Sequence, residues 1–381
     1  MKKLAIITSH PIQYQIPLFK NLRKYKIKPI VFFASKHGFK KEKIDSEFLQ
    51  KIKWDNSKNL LSGYKSYFPK KQKYSIDQFR LSFSNLEKHL KFENINNILI
   101  FGWNNLYYLK AFYIAFKNKY KIIIRTETNL YSKSNIFKKF FKKIFLKFFF
   151  KKISNFLYIG KLNKEFYLNL KVPQKKLFPG FYFVDNNFFK LRCSKKKMRK
   201  KLRIKEKKII LYVGKFIKRK NPFEFLYLAK LFKYKKNVKF LMIGDGILRA
   251  DCQRFIIQNN LKNVLIKGFL NQKKLREYYW ASDLLIVPSS YETWGLNINE
   301  AFASSIPVIS TKNCGASSDL IVNGLTGYQY EPGDLKNLSD KVNFILNNSH
   351  IQKKLIKNIK SKIKIYNMDV TINSLKKIIN A

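Results

Sequence analysis

Two carboxylates, Glu292 and Glu300, stand eight positions apart in the stretch YETWGLNINEAFASSIPVI, residues 291–309, of a chain with 78 Lys+Arg and only 23 Asp+Glu. A carboxylate accepts two hydrogen bonds side by side, so it matches the vicinal hydroxyls of a ribose or a hexose. Between the two acids, Thr293 ends a polar loop, and Trp294, Gly295 and Leu296 are expected to open a helix. A helix start exposes backbone N–H groups that hold phosphate oxygens. Acids on either side of such a turn suit a nucleotide-sugar, one carboxylate for the sugar and one for the ribose. The plainer alternative is a loop acid and a helix acid with no shared role. The scarcity of acids in the chain weighs against it.

A second group supplies the opposite charge. Gly214 and Lys215 follow the apolar run 208–213, Lys220 comes shortly after, and Pro222 marks the next helix. Cations beside a helix N-terminus suit a diphosphate; the alternative is a solvated Lys-rich loop. The G-x-x-x-x-G-K-S/T phosphate loop is absent. Gly244-Asp245-Gly246 follows the run 238–243, where glycines admit either a ligand or a tight turn. No G-x-G-x-x-G accompanies them. In the first half, Ser9-His10-Pro11-Ile12-Gln13 follows the run 4–8, so His10 and Gln13 either line a cleft or serve structure. Arg125 and Glu127 end the run 121–125, where they contact sugar hydroxyls or pair with each other. Phe101-Gly102-Trp103-Asn104 offers a stacking wall.

The elements that must position these loops are legible as two series of short apolar runs. The first lies at 4–8, 29–33, 97–101, 121–125 and 155–159; the second at 208–213, 238–243, 263–267, 283–288 and 307–311. Continuous apolar runs mark strands buried on both faces, as in parallel sheets covered by helices. Helical stretches such as 222–236 and 273–283 complete βαβ units. The expected fold class is α/β: two Rossmann-like doubly wound domains, with the boundary near 188 inside the Pro-, Gly- and Lys-containing stretch 178–204. The domains run over 1–188 and 189–365, and the C-terminal helix, 366–381, either caps the second or crosses back to the first. In open α/β sheets ligands bind beyond the carboxyl ends of the strands, where all of these loops fall. Two sheets facing one another would bring both loop sets into a central cleft.

Composition narrows the class. A 46% hydrophobic content supports sizeable cores and excludes a disordered chain. The net charge of +55 invites a nucleic-acid role, but Lys is abundant together with Asn, Ile, Phe and Tyr, as an AT-rich genome produces, and the basic residues are spread along the chain. Cys193, Cys252 and Cys314 are odd in number and form no C-x-x-C, which fits a reducing cytoplasm rather than a disulfide framework or zinc site. The start, MKKLAIITSHPIQ, reads as a first strand rather than a signal peptide. No apolar run approaches the roughly 18 residues of a spanning helix. The segment 138–156 alternates Lys pairs with Phe-rich pairs, either as a core helix with a biased surface or as a helix on an anionic bilayer.

The string Glu292-x-x-Gly295-Leu296-x-x-x-Glu300-Ala301 resembles the E-x7-E signature of retaining GT-B glycosyltransferases of family 4, the glycosyl transferases group 1. Val213-Gly214-Lys215 with Lys220, Gly244-Asp245-Gly246, the run 283–289, and Gly315, Asn323-Gly324 and Gly327 resemble further segments in the same order. The HPIQYQIPLF stretch, Trp54-Asp55 and Leu60-Leu61-Ser62-Gly63-Tyr64 resemble a subgroup. The resemblance implies a GT-B fold and transfer of a hexose from a UDP- or GDP-sugar to a lipid-linked or saccharide hydroxyl, with retention. It implies that Lys215 and Lys220 neutralise the leaving diphosphate, that Glu292 and the backbone of Trp294 to Leu296 hold the donor sugar, and that Glu300 binds the ribose. The chain departs in having Lys215 for Arg, Asp319 for Glu, no glycines after the first strand, and Arg125 and Glu127 where relatives carry a His. No D-x-D is present, so no metal is expected. The rival readings are a nucleotide-sugar epimerase or hydrolase on the same fold, and a basic nucleic-acid-binding protein.

Overall fold

The computed structural model describes residues 1–36, 44–45, 50–51, 60–69, 83–129 and 136–380; for 44–45, 50–51 and 136–142 only the backbone is described. Trp54-Asp55 lies outside the described residues. The strands are β1 (Lys2–Thr8), β2 (Ile27–Phe33), β3 (Ile44–Asp45), β4 (Gln50–Lys51), β5 (Lys65–Tyr67), β6 (Asn97–Ile100), β7 (Lys121–Arg125), β8 (Asn155–Tyr158) and β9 (Leu177–Pro179), then β10 (Lys208–Val213), β11 (Val238–Ile243), β12 (Val264–Lys267), β13 (Leu284–Val287), β14 (Val308–Thr311) and β15 (Gly327–Tyr330). One sheet has the order β5-β2-β1-β6-β7-β8-β9 and a second β12-β11-β10-β13-β14-β15, with all pairs parallel. The short ladder β3-β4 stands outside both. Each sheet is doubly wound: its first strand lies inside and the order reverses beside it, between β1 and β6 and between β10 and β13.

Two compact units hold these sheets. Among the described residues, 1–36, 51, 60–69, 83–129, 136–182 and the last helix, Met368–Asn380, form the first, and 44–45, 50 and 183–367 form the second. In the first, Leu4, Ala5, Ile6, Ile7, Ile98, Leu99, Ile100, Ile122, Ile123 and Ile124 are fully or almost fully buried, as strands covered on both faces require. The last helix packs Ile372, Leu375, Ile378 and Ile379 inward. Lysines at the strand starts cap its C-terminal carbonyls: Lys2 Nζ donates to Ile379 O at 2.9 Å and Lys121 Nζ to Ile378 O at 2.6 Å. Cations there also favour the negative end of the helix dipole.

The division falls between Tyr182 and Phe183 rather than near 188. The cause is local. Asp185 caps the short helix Asn186–Phe189, accepting from Phe188 N at 2.9 Å, and Phe189 is 1% exposed. Its carbonyl accepts from Trp280 Nε1 at 2.7 Å and Ser304 Oγ at 3.1 Å, which fixes 183–189 within the second unit. The Lys-rich run that read as a linker is likewise a helix, Lys195–Lys201, capped by Ser194. It is anchored on buried Asp283, which takes Arg199 at 2.6 Å, Lys195 at 3.1 Å and the backbone N–H of Ile209 at 2.8 Å. Among the described residues no helix is long and apolar enough to cross a membrane.

Candidate active site

In the second unit the site begins where β10 ends. Buried Tyr212 donates its hydroxyl to Lys215 O at 3.0 Å and Lys220 O at 3.4 Å, which holds both ends of the Gly214–Lys220 loop. Asn221, at φ 48°, turns the chain into the helix Pro222–Leu231. Lys215 is half-buried on that loop. Lys220 reaches the neighbouring loop, where its Nζ lies 2.5 Å from Glu292 Oε1; the two side chains are 17% and 6% exposed. Ser289 Oγ donates to the same carboxylate oxygen at 2.6 Å. Burial by itself raises the Glu292 pKa, but Lys220, Ser289 and Arg219 outweigh it and hold the carboxyl below its ordinary value. Glu292 is therefore an anion at neutral pH, locked to a cation on the loop predicted to carry one.

The backbone of that acid is equally fixed. Glu292 N donates to Asn313 O and Gly315 N to Glu292 O, both at 3.1 Å. Gly295 takes φ 110°, and a Cβ there would fall 2.5 Å from Cys314 Sγ, so only glycine fits. The same hypothetical atom would lie 3.5 Å from Asn297 Oδ1 and 3.6 Å from Glu292 Oε2, so both oxygens converge on the start of the helix Leu296–Ala303. Asn297 Nδ2 ties that helix to Val213 O at 3.0 Å, while its buried Oδ1 has no partner among the described residues. Glu300 follows on the helix, 3% exposed, with Tyr279 donating to its Oε2 at 2.8 Å.

Three of the expected ligand groups also carry local structure. Trp294 is buried, donates its indole N–H to Asn299 Oδ1 at 2.8 Å and packs near Tyr366, and its carbonyl accepts from Cys314 Sγ and Ala316 N, both at 2.8 Å. Its side chain thus shapes the turn. Gly244 brings its backbone against Gly214, and Gly246 follows on a turn zipped to the Gly214 loop by Phe216 N to Asp245 O at 2.8 Å and Leu248 N to Phe216 O at 2.9 Å. The glycine pair thus serves a close crossing of two chains. Thr293 and Leu296 remain half-buried on either side of Trp294 and Gly295. Asp319, placed where Glu was expected, accepts from Tyr366 Oη at 3.1 Å.

In the first unit, the loops after β1, β6 and β7 meet. Ser9 N donates to Tyr108 Oη at 3.1 Å, and Ser9 Oγ lies 2.9 Å from His10 Nδ1. Burial pushes the Tyr108 hydroxyl up to about 12, with the Glu127 charge acting the same way. Glu127 is exposed and accepts the hydroxyl of Tyr182. Trp103 Nε1 donates to Thr128 Oγ1 at 3.3 Å. Arg125 is held within the first unit. It is 5% exposed, donates to Gly180 O at 3.1 Å, and stacks over Tyr182 at 4.5 Å and Phe101 at 5.5 Å. Burial draws its pKa down to about 10, against the opposing pull of Glu127. His10 and Glu127 thus belong to the first unit's loop cluster, and Lys215, Lys220, Glu292, Gly295 and Glu300 to the second's. Sequence reasoning missed Ser289, Tyr279, Asn297, Tyr212 and Tyr182. Asn297 was within reach, since it precedes Glu300 by three positions on one helix face.

The second unit resembles known proteins. Residues 194–362 match the family model described as glycosyl transferases group 1. That span holds Lys215, Lys220, Glu292, Gly295 and Glu300. The chain is 31% identical over 151 residues to the 2-deoxystreptamine N-acetyl-D-glucosaminyltransferase of Niallia circulans, covering 39% of each chain. It is 32% identical over 149 residues to the capsular polysaccharide biosynthesis glycosyltransferase CapM of Staphylococcus aureus, covering 38% of each. The chain therefore spans about two fifths of the length of these relatives. The structure of Anabaena HepE in complex with UDP and glucose superposes with a TM-score of 0.73 at 14% identity, covering both chains completely. The architecture, two Rossmann-like parallel-sheet domains, is that of GT-B glycosyltransferases.

Proposed function

We propose that the protein is a glycosyltransferase that moves a hexose from a nucleotide diphosphate sugar to a hydroxyl acceptor with retention at the anomeric carbon, in cell-envelope polysaccharide or glycolipid assembly. The observation that carries this reading is the buried Lys220–Glu292 pair set against the Gly295 turn, with Glu300 on the helix that the turn begins. As the sugar leaves, negative charge builds on the diphosphate. Lys215, Lys220 and the N–H groups of the helix start are positioned before the reaction and stabilise that charge without reorganising. Glu292, ionised, accepts from sugar hydroxyls, and Glu300, oriented by Tyr279, accepts from the ribose pair. In the first unit His10 and Glu127 flank the acceptor. Retention proceeds by same-face attack assisted by the departing phosphate.

The donor carries UDP or GDP, and the acceptor is a saccharide or is lipid-linked. The group 1 match and the relatives that act as glycosyltransferases support the reaction class, and the capsular relative supports the envelope setting. The three cysteines are free, in keeping with a cytoplasmic location. No metal is assigned, because the sequence lacks D-x-D and lysines supply the positive charge. Chelation with EDTA is accordingly expected to leave the transfer rate unchanged; a rate restored only by added Mn²⁺ or Mg²⁺ would overturn that part.

A thermal-shift panel of UDP- and GDP-sugars, followed by mass spectrometry of products with lipid-linked acceptors, tests the whole. One nucleotide series is expected to raise the melting temperature. Glu300→Ala is expected to abolish that shift, and an unchanged shift contradicts the ribose assignment. Free sugar accumulating at the same rate with and without acceptor would favour a hydrolase.

A further inference from the structure

We infer that the helices Leu106–Lys117 and Ile136–Lys151 of the first unit form one face that docks onto an anionic lipid bilayer. The two helices are packed together: Phe149 meets Phe112 edge-on at 4.8 Å and Phe116 at 6.0 Å, and Phe145 stacks on Phe149 at 5.7 Å. Their inward side chains, Ala111, Phe112, Leu146 and Phe150, are buried in the core. Beside this contact each helix leaves large apolar groups in water. Leu109 and Tyr113 stand one turn apart on the first, and Ile144, Phe145 and Phe148 on the second; Tyr113 is 67%, Phe148 63% and Phe145 52% exposed. Scattered exposed apolar residues need no explanation, but five on two helices packed against one another do.

The charges around the cluster select the occupant. Lys110, Lys143, Lys147, Lys151 and Lys152 are exposed, and neither helix contains an acid. Lys151 lies over the Phe148 ring and Lys152 over Phe116, at 5.3 and 5.6 Å, so the stems cover apolar surface while the ammonium groups reach outward. A second copy of this chain would bring lysines against lysines. Single-stranded nucleic acid would use the rings but gain nothing from Leu109 and Ile144, which have no face to stack. A bilayer with anionic headgroups satisfies both features: the rings and aliphatic groups enter the headgroup boundary and the lysines meet phosphates. The sequence had suggested such a role for one segment alone; the second helix doubles the face. The inference does not depend on the donor chemistry proposed above.

Flotation of the full chain with phosphatidylcholine vesicles, with and without phosphatidylglycerol, tests it. Binding is expected only with the anionic lipid, and high salt is expected to weaken it. Lys143→Gln/Lys147→Gln/Lys151→Gln is expected to reduce partitioning on the order of 100-fold at low salt, from roughly fivefold per lysine. Tyr113→Ser/Phe145→Ser/Phe148→Ser is expected to reduce it about tenfold or more through lost apolar burial. Both variants are expected to keep the nucleotide-induced thermal shift, which separates failure here from failure of the catalytic reading. The control is Lys353→Gln/Lys354→Gln/Lys357→Gln on the helix Ser349–Ile363, which removes the same charge elsewhere. Equal loss in the control, no loss in the aromatic variant, or a dimer that the aromatic variant dissociates would each overturn the inference.

Discussion

Glu292→Gln is expected to destabilise the second unit by about 3 kcal/mol and to lower turnover roughly 100-fold or more. The stability term follows from what is left behind. Gln keeps the shape, so the Ser289 contact survives, but Lys220 loses its counter-ion while 17% exposed. Removing one partner of a buried pair typically costs about 3–5 kcal/mol, and the partial access of Lys220 to water sets the lower end. Lys220→Met/Glu292→Gln removes both charges and is expected to recover most of the stability without recovering turnover, because the donor then meets neither cation nor acid. That split separates a binding pair from a merely structural one. The pH dependence has a definite sign. The folded carboxyl titrates below its ordinary value of 4.5, so its contribution is complete at neutral pH and is lost as pH falls through the folded pKa. Thermal melts across pH are expected to show the wild type and Glu292→Gln converging below about 4.5. A gap that persists in acid would mean that the substitution damages packing rather than an ion pair.

The same physics explains how much of the molecule was legible beforehand. Each apolar run read as a strand forms one, because residues such as Ile209, Ile210 and Leu211 are buried on both faces and leave no polar alternation to misread. The sheet strands that the runs did not announce, β5, β9 and β15, all lie at sheet edges with sequences KSY, LFP and GYQY. They are short and are held by one neighbour each, so the pairing and not the local sequence makes them strands. Glu292, Lys220 and Glu300 could be singled out beforehand because acids are scarce in this chain and because the residues follow apolar runs; the structure buries both acids. Their supports could not. Tyr279 reaches Glu300 from another helix, and Tyr366 packs near Trp294 from beyond the sheet. Arg125 shows the converse. It ends a strand beside Glu127, as a ligand-binding residue would, but aromatic rings from separate loops close over it. Long-range contact decided these residues, and no local spacing encodes it.

Gly244→Ala is expected to be the most destabilising single-atom addition in the second unit, and the comparison that shows it is Gly333→Ala. Both glycines occupy the left-handed side of backbone space, Gly244 at φ 146° and Gly333 at φ 90°. Placing an alanine at such angles costs about 1–3 kcal/mol at either site. The surroundings then separate them. A Cβ on Gly333 meets nothing within 4 Å, whereas one on Gly244 would lie 1.8 Å from Gly214 O. That obstacle is backbone, so no rotamer change relieves it. Neither chain can retreat easily: Gly214 N donates to Ile243 O at 3.0 Å and Gly244 N to Gly268 O at 3.2 Å, at the ends of β10, β11 and β12. Relief requires breaking these bonds and the Phe216–Asp245 link, at about 1 kcal/mol each, on top of the strain. The total, about 4 kcal/mol or more, approaches the whole stability of a typical domain. Limited proteolysis and denaturant melts are expected to show the second unit open in Gly244→Ala, with Lys220 and Glu292 no longer paired and nucleotide binding lost, while Gly333→Ala stays folded and binds. If the two alanines behave alike, backbone conformation alone accounts for both and the crossing of the two loops carries no weight in holding the site.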